Sequence, residues 1–129
     1  MRARGEFEVN LAALSTYNSD TDAQLGRMSL DKIFRGDLQA TSKGEMLSAG
    51  SPQSGSAGYV AIERVTGRLQ GREGSFALQH HATMHRAESS LDIIVVPGSG
   101  TGALQGLRGT MRIIIEGGRH SYEFDYEFE

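Results

Sequence analysis

Several residue types and segments are absent or scarce in this chain, and each absence excludes a class of protein. The 129 residues include no cysteine, so the chain has no disulfide, no thiolate nucleophile and no cysteine-ligated zinc or iron–sulfur centre. The longest uninterrupted aliphatic run covers only residues 93–96. That is far short of the roughly 20 apolar residues that a membrane-spanning helix needs.

Charge is also limited, with 13 basic and 16 acidic side chains and a formal net charge of −3. A nucleic-acid-binding domain of this size normally carries a basic excess, so we expect no nucleic-acid partner. No apolar segment follows the basic residues near the start, so we predict no signal peptide and no membrane partner. These features together favour a soluble, cytoplasmic single domain over residues 1–129.

Glycine, in contrast, is abundant, and a glycine phrase occurs twice. Residues 66–76 (TGRLQGREGSF) return 35 positions later as residues 101–111 (TGALQGLRGTM), and a looser version begins at Gly36. Because glycine tolerates positive φ and close backbone approach, a repeated Gly-x-Leu-Gln-Gly-x-x-Gly predicts bent strands or tight corners. Repetition at this interval is typical of a stack or closed ring of hairpins.

Side chains alternate between apolar and polar along most of the chain, as they do in half-buried strands. The clearest case is the C-terminal segment, where Tyr122, Phe124 and Tyr126 alternate with charged residues. Turn signals divide the chain into eight predicted strands, near residues 2–14, 25–36, 37–49, 56–66, 68–85, 90–97, 101–116 and 118–128. Residues 15–24 and 50–56 are predicted loops. The fold class is therefore all-β, and we predict one closed antiparallel barrel of about eight strands, which is wide enough for side chains or one small ligand.

A family resemblance extends over most of the chain. The residues that carry it are 28–32, 34, 36–38, 40–46, 58–65, 74–76, 78–80, 99–111 and 120–122. In these segments the chain resembles an uncharacterised family of small bacterial barrel proteins, described only as a domain of unknown function. The fold of that family is similar to the allene oxide cyclase barrel. The resemblance implies a closed barrel but no activity, because the pocket residues of allene oxide cyclases find no position-by-position match here and one fold hosts many functions.

A few polar side chains stand in rows that should face the core. Lys32 lies between Leu30 and Phe34, and His80 lies between Leu78 and Ala82. His120 shares a face with Tyr122 and Phe124, and residues 57–65 carry either Glu63 or Arg64 inward, depending on which row is internal. Unpaired buried charges cost several kcal/mol, on the order of 3–5, so Lys32 and Glu63 are candidates to pair inside the barrel. His80 and His120 would then be hydrogen-bonding or proton-transfer groups.

These rows predict the ligand-binding residues of a lumen: Lys32, Phe34, Glu63, His80, His120 and Tyr122, with Glu45 as a weaker candidate whose face is unclear. The predicted apolar lining consists of Phe7, Met28, Leu30, Phe34, Phe76, Leu78, Tyr122 and Phe124. We expect a small apolar or amphipathic ligand, for example one whose carboxylate meets Lys32. The alternative interpretation is that these polar residues only complete internal networks.

Other site types are weakly supported. Gly98, Gly100 and Ala103 imitate a dinucleotide-binding fingerprint, but the two glycines that follow make the required helix improbable and favour a structural turn. His81 and His85 would lie about 13 Å apart along a strand, too far to share a metal ion. No metal and no cofactor is therefore expected.

Three functional hypotheses remain open. The first is a small-molecule-binding barrel, and the second is a cofactor-free isomerase or cyclase that uses Glu63 or His80 as acid or base in the same lumen. The third is a structural or interaction module whose barrel is filled by its own side chains. We also expect a homo-oligomer, because most oligomers are symmetric assemblies of one chain.

Overall fold

Eight antiparallel strands form one closed barrel in the computed structural model, which describes residues 1–51, 53 and 55–129. Each strand pairs with its neighbours in sequence, and β1 closes the barrel on β8. The strands are β1 (Arg2–Leu14), β2 (Leu25–Phe34), β3 (Leu38–Ser51), β4 (Ser56–Leu69), β5 (Arg72–His85), β6 (Glu88–Val95), β7 (Leu107–Glu116) and β8 (Arg119–Phe128). The predicted all-β closed barrel is confirmed.

Three hairpins turn within two residues. Gln70–Gly71, Arg86–Ala87 and Gly117–Gly118 each have positive φ at both positions, between the paired residues of their flanking strands. Paired positive φ is typical of the tight turns whose twist matches that of antiparallel strands. The first of these turns lies inside the predicted strand 68–85, so that segment is divided between β4 and β5.

The two glycine phrases have different local roles, which corrects the predicted seventh strand. Residues 102–104 form a short 3-10 turn, and β7 begins at Leu107 instead of residue 101. The two phrases meet each other, since a Cβ on Gly74 would lie 2.1 Å from the carbonyl oxygen of Thr101. Of the predicted loop 50–56, Gly50, Ser51 and Ser56 belong to strands, and Pro52 and Ser54 lie outside the described residues.

One half of the barrel, here called the filled half, contains the hydrophobic core. It lies at the end that carries both chain termini and the β2–β3, β4–β5 and β6–β7 connections. Leu104, from the 3-10 turn in the β6–β7 connection, is buried there among aromatic residues. The Phe76 and Phe124 rings stack with centroids 5.8 Å apart, and Phe124 also stacks on Tyr126. Aromatic packing of this kind buries large apolar areas in the interior of this half.

The other half, here called the open half, is different. Strand register places a second set of side chains on the inner face at the end formed by the β1–β2, β3–β4, β5–β6 and β7–β8 connections. They include Val9, Leu11, Met28, Met46, Tyr59, Leu91, Ile113 and His120, and all of them are partly or substantially exposed. These inward side chains keep contact with solvent, whereas most of those in the filled half are buried.

Candidate functional site

Four polar side chains from four adjacent strands meet inside the barrel. Glu63 of β4 is at their centre: its Oε2 lies 2.9 Å from Lys32 Nζ and 2.5 Å from His80 Nε2. Its other oxygen, Oε1, accepts a hydrogen bond of 2.7 Å from Ser42 Oγ. All four residues are buried, and Glu63 has no exposed surface. We call Lys32, Ser42, Glu63 and His80 the buried polar cluster.

Strand register explains why these residues converge. Lys32 pairs with Ser42, and Gly44 pairs with Glu63, so the inward positions of β2, β3 and β4 form a diagonal row. Gly44 is needed for close strand approach, because a Cβ at this position would lie 2.1 Å from the carbonyl oxygen of Ile62. The predicted Lys32–Glu63 pair is present, and the same register places Arg64 outward, where it bonds Ser75 Oγ at 2.9 Å.

Glu63 is ionised in the folded protein at neutral pH. Burial by itself would raise the pKa of its carboxyl group, but the hydrogen bond with His80 and the charge of Lys32 lower that pKa to about 2. An ionised carboxylate only accepts hydrogen bonds, so Nε2 of His80 is the donor in this pair. In the neutral imidazole, Nδ1 then carries the lone pair.

That second nitrogen of His80 is free. Within residues 1–51, 53 and 55–129, no group forms a hydrogen bond with Nδ1. The same residues contain no fully buried side-chain nitrogen or oxygen that lacks a partner. Nδ1 must therefore be in contact with solvent, although the His80 side chain as a whole is only 3% exposed.

Aromatic rings surround the ammonium group of Lys32. Its Nζ lies 5.1 Å from the ring centroid of Phe7 and 5.7 Å from that of Phe34. A cation at this distance is attracted to the ring face, an interaction that strengthens where water is excluded. Phe34, which the sequence analysis placed in the lumen lining, therefore belongs to the immediate surroundings of the cluster.

Tyr59 is a residue of this region that the sequence analysis did not select. It is half-buried on the inner face of β4, in the same row as Ala61 and Glu63. Burial raises the pKa of its hydroxyl, and the negative charge of nearby Glu63 raises it further. Tyr59 is therefore a neutral hydrogen-bond donor in the open half. The signal was available in the period-two spacing, once Glu63 was taken as inward.

The remaining predicted site residues do not join the cluster. His120 is half-buried in the open half, with its ring edge-on to Phe7 at a centroid distance of 5.4 Å. The hydroxyl of Tyr122 donates to the Arg35 carbonyl at 2.7 Å and accepts from the Leu38 amide at 2.9 Å, which anchors the β2–β3 turn. Glu45 is on the outer face, where its carboxylate bonds Arg27 at 2.7 Å. Glu45 alternates with the inward residue Met46, so its side chain does not line the barrel interior.

The predicted lining also divides between the two halves of the barrel. Met28 is in the open half, and Phe7 and Leu30 lie beside the buried polar cluster. Phe76, Leu78 and Phe124 belong to the hydrophobic core, so their predicted place in a ligand lumen is wrong. The physical reason is that the β6–β7 connection plugs this end of the barrel with Leu104.

The other motifs of the sequence lie outside the buried polar cluster. Gly98 and Gly100 belong to the β6–β7 connection, where a three-residue 3-10 turn follows in place of a phosphate-binding helix. Among the described residues, no group of three or more His, Cys, Asp or Glu side chains is arranged to hold a metal ion. His81 faces outward, with Nδ1 3.8 Å from an Asp92 carboxylate oxygen. No helix in the described part of the chain has the length and apolarity to span a membrane.

Comparison with known proteins identifies one family model and a solved structure, both described as of unknown function. A search of curated proteins finds no match. A crystal structure of a DUF3224-family protein of unknown function from Shewanella oneidensis MR-1 is 52% identical, with a TM-score of 0.94. The alignment covers 100% of this chain and 97% of that one. The family described as "Protein of unknown function (DUF3224)" matches residues 3–126, and the chain therefore belongs to the DUF3224 family.

Proposed function

We propose that the open half of the barrel is a binding site for one small apolar or amphipathic molecule. The observation that carries the proposal is the boundary between the two halves: the buried polar cluster lies where the packed core ends and the accessible apolar walls begin. A few convergent polar groups in an otherwise apolar, preformed cavity are typical of small-molecule sites.

The composition of the walls supports an apolar ligand body. The inner face of the open half carries Leu11, Met28, Met46, Leu91 and Ile113, with no charged side chain among these positions. Methionines adapt to ligands of irregular shape, because their side chains are unbranched and flexible. The inner face of the open half also carries the His120 imidazole and the Tyr59 hydroxyl. The buried polar cluster adds polar groups at the boundary with the filled half.

The test is native mass spectrometry of protein purified from cells, followed by denaturing extraction of any bound molecule. We expect a discrete small molecule that is released on unfolding. The Met46→Trp variant should lose it, because the larger ring occupies the open half. Its neighbour Leu47 is 55% exposed on the outer face, so Leu47→Trp is the matched control and should retain the molecule.

Absence of a bound molecule, together with probe binding that does not depend on Met46, would contradict the proposal. If the wild-type protein carries nothing and a panel of apolar probes binds it and Met46→Trp equally, the barrel is better explained as a structural or interaction module. The same native spectra report whether the chain forms the expected homo-oligomer.

A further inference from the structure

The unpaired Nδ1 of His80 determines which chemical group a ligand in the lumen would present to it. His80 is more than nine-tenths buried, yet its Nδ1 lacks a hydrogen-bond partner in the described part of the chain. A polar atom that has no partner in the protein is normally satisfied by water or by a ligand. Nδ1 keeps contact with solvent, because no fully buried side-chain nitrogen or oxygen of the described residues lacks a partner.

The charges of the cluster are already balanced without a ligand. Lys32 and Glu63 neutralise each other at 2.9 Å, and Ser42 donates to the remaining carboxylate oxygen. The ammonium group of Lys32 therefore already has its counter-charge. A carboxylate at this position would face the lone pair of His80 and lie near the ionised Glu63, which is unfavourable in a region of low dielectric.

We propose that the ligand presents an uncharged hydroxyl group, as in an alcohol or a phenol, which donates a hydrogen bond to Nδ1 of His80. This inference rests on the proposed function and defines its ligand class. Glu63 acts as a positioning residue, because its carboxylate holds the hydrogen on Nε2 and leaves the lone pair on Nδ1. The carboxylate ligand expected from the sequence is disfavoured, because Lys32 is engaged by Glu63.

Two probes with the same ring system test the proposal: 2-naphthol, which carries a hydroxyl, and 2-naphthoate, which carries a carboxylate. Binding is measured by calorimetry at pH 8. We expect 2-naphthol to bind about tenfold more tightly than 2-naphthoate, the ratio that corresponds to one hydrogen bond.

A pair of histidine variants locates the interaction. His80→Phe should weaken 2-naphthol binding about tenfold and leave 2-naphthoate unchanged. His81→Phe is the matched control, because His81 is the next residue and faces outward. If His80→Phe does not fold, nitrogen NMR of the histidine-labelled wild-type protein replaces it. One imidazole Nδ1 resonance should then shift with 2-naphthol and not with 2-naphthoate.

The outcomes separate the two proposals. If 2-naphthoate binds as tightly as 2-naphthol, or if neither His80→Phe nor the Nδ1 resonance responds, the hydroxyl proposal is overturned while lumen binding stands. If neither probe binds and no extracted molecule depends on Met46, the proposed function itself fails, and the hydroxyl proposal fails with it.

Discussion

At the scale of single residues, the members of the buried polar cluster stabilise the barrel only as a set. Glu63 receives hydrogen bonds from His80 and Ser42 and an ion pair from Lys32, so each partner depends on the same carboxylate. Removal of one charge from such a group leaves the other buried and uncompensated, whereas replacement of the whole group by apolar residues is often tolerated.

This dependence predicts that Glu63→Ala lowers the free energy of unfolding more than simultaneous apolar replacement of Lys32, Glu63 and His80 does. Glu63→Ala should lower the free energy of unfolding by about 3–5 kcal/mol, because Lys32 loses its counter-charge. Lys32→Met/Glu63→Leu/His80→Phe should be clearly more stable than Glu63→Ala. Urea unfolding measures both variants. Glu45→Ala is the control, because its exposed pair with Arg27 is worth at most about 1 kcal/mol.

The reverse order would contradict the prediction. A triple variant that is less stable than Glu63→Ala would mean that the cluster contributes more than the hydrophobic packing that replaces it. The three sites are in contact, so their effects are not expected to add, and only the comparison within the series is informative.

At the scale of elements, neighbouring strands of the barrel differ in how many residue pairs join them. The ladder between β3 and β4 runs without interruption from Leu38↔Leu69 to Ser51↔Ser56. The ladder between β6 and β7 contains one residue pair, Ile94↔Thr110. Backbone groups between β6 and β7 therefore have few partners on the neighbouring strand. Regions of this kind open locally at low free energy.

Amide hydrogen exchange should show this difference directly. We expect the amides of β6 that point towards β7 to exchange at least about a hundredfold faster than those in the centre of the β3–β4 ladder, a difference of roughly 3 kcal/mol in opening free energy. The β6 amides that point towards β5 are the internal control, since that ladder runs from Leu78↔Val95 to His85↔Glu88. Equal protection on both sides of β6 would contradict the prediction.

At the scale of the whole molecule, alternation and turn residues were sufficient to predict the closed barrel, because both are local signals. The burial of Leu104 inside the barrel was not predictable. Its 3-10 turn at residues 102–104 belongs to a glycine phrase whose other copy, residues 66–76, forms a hairpin. The choice between Glu63 and Arg64 required the β4 register, which depends on long-range pairing. The free Nδ1 of His80 depends on side-chain placement that no sequence pattern specifies.

Acid stability is the property of the whole molecule that the buried cluster controls most directly. Because the pKa of Glu63 falls from 4.5 to about 2 on folding, its ionised form stabilises the folded state at every pH above about 4.5. That contribution of about 3 kcal/mol is lost as the pH decreases from 4.5 towards 2, where folded Glu63 must accept a proton.

Urea unfolding across this pH range should therefore show a steeper decline in the free energy of unfolding for the wild-type protein than for Lys32→Met/Glu63→Leu/His80→Phe, which lacks the carboxylate. Glu45→Gln should follow the wild-type curve, because Glu45 is exposed. Parallel curves for the wild-type protein and the triple variant would show that Glu63 is not the group whose protonation destabilises the barrel.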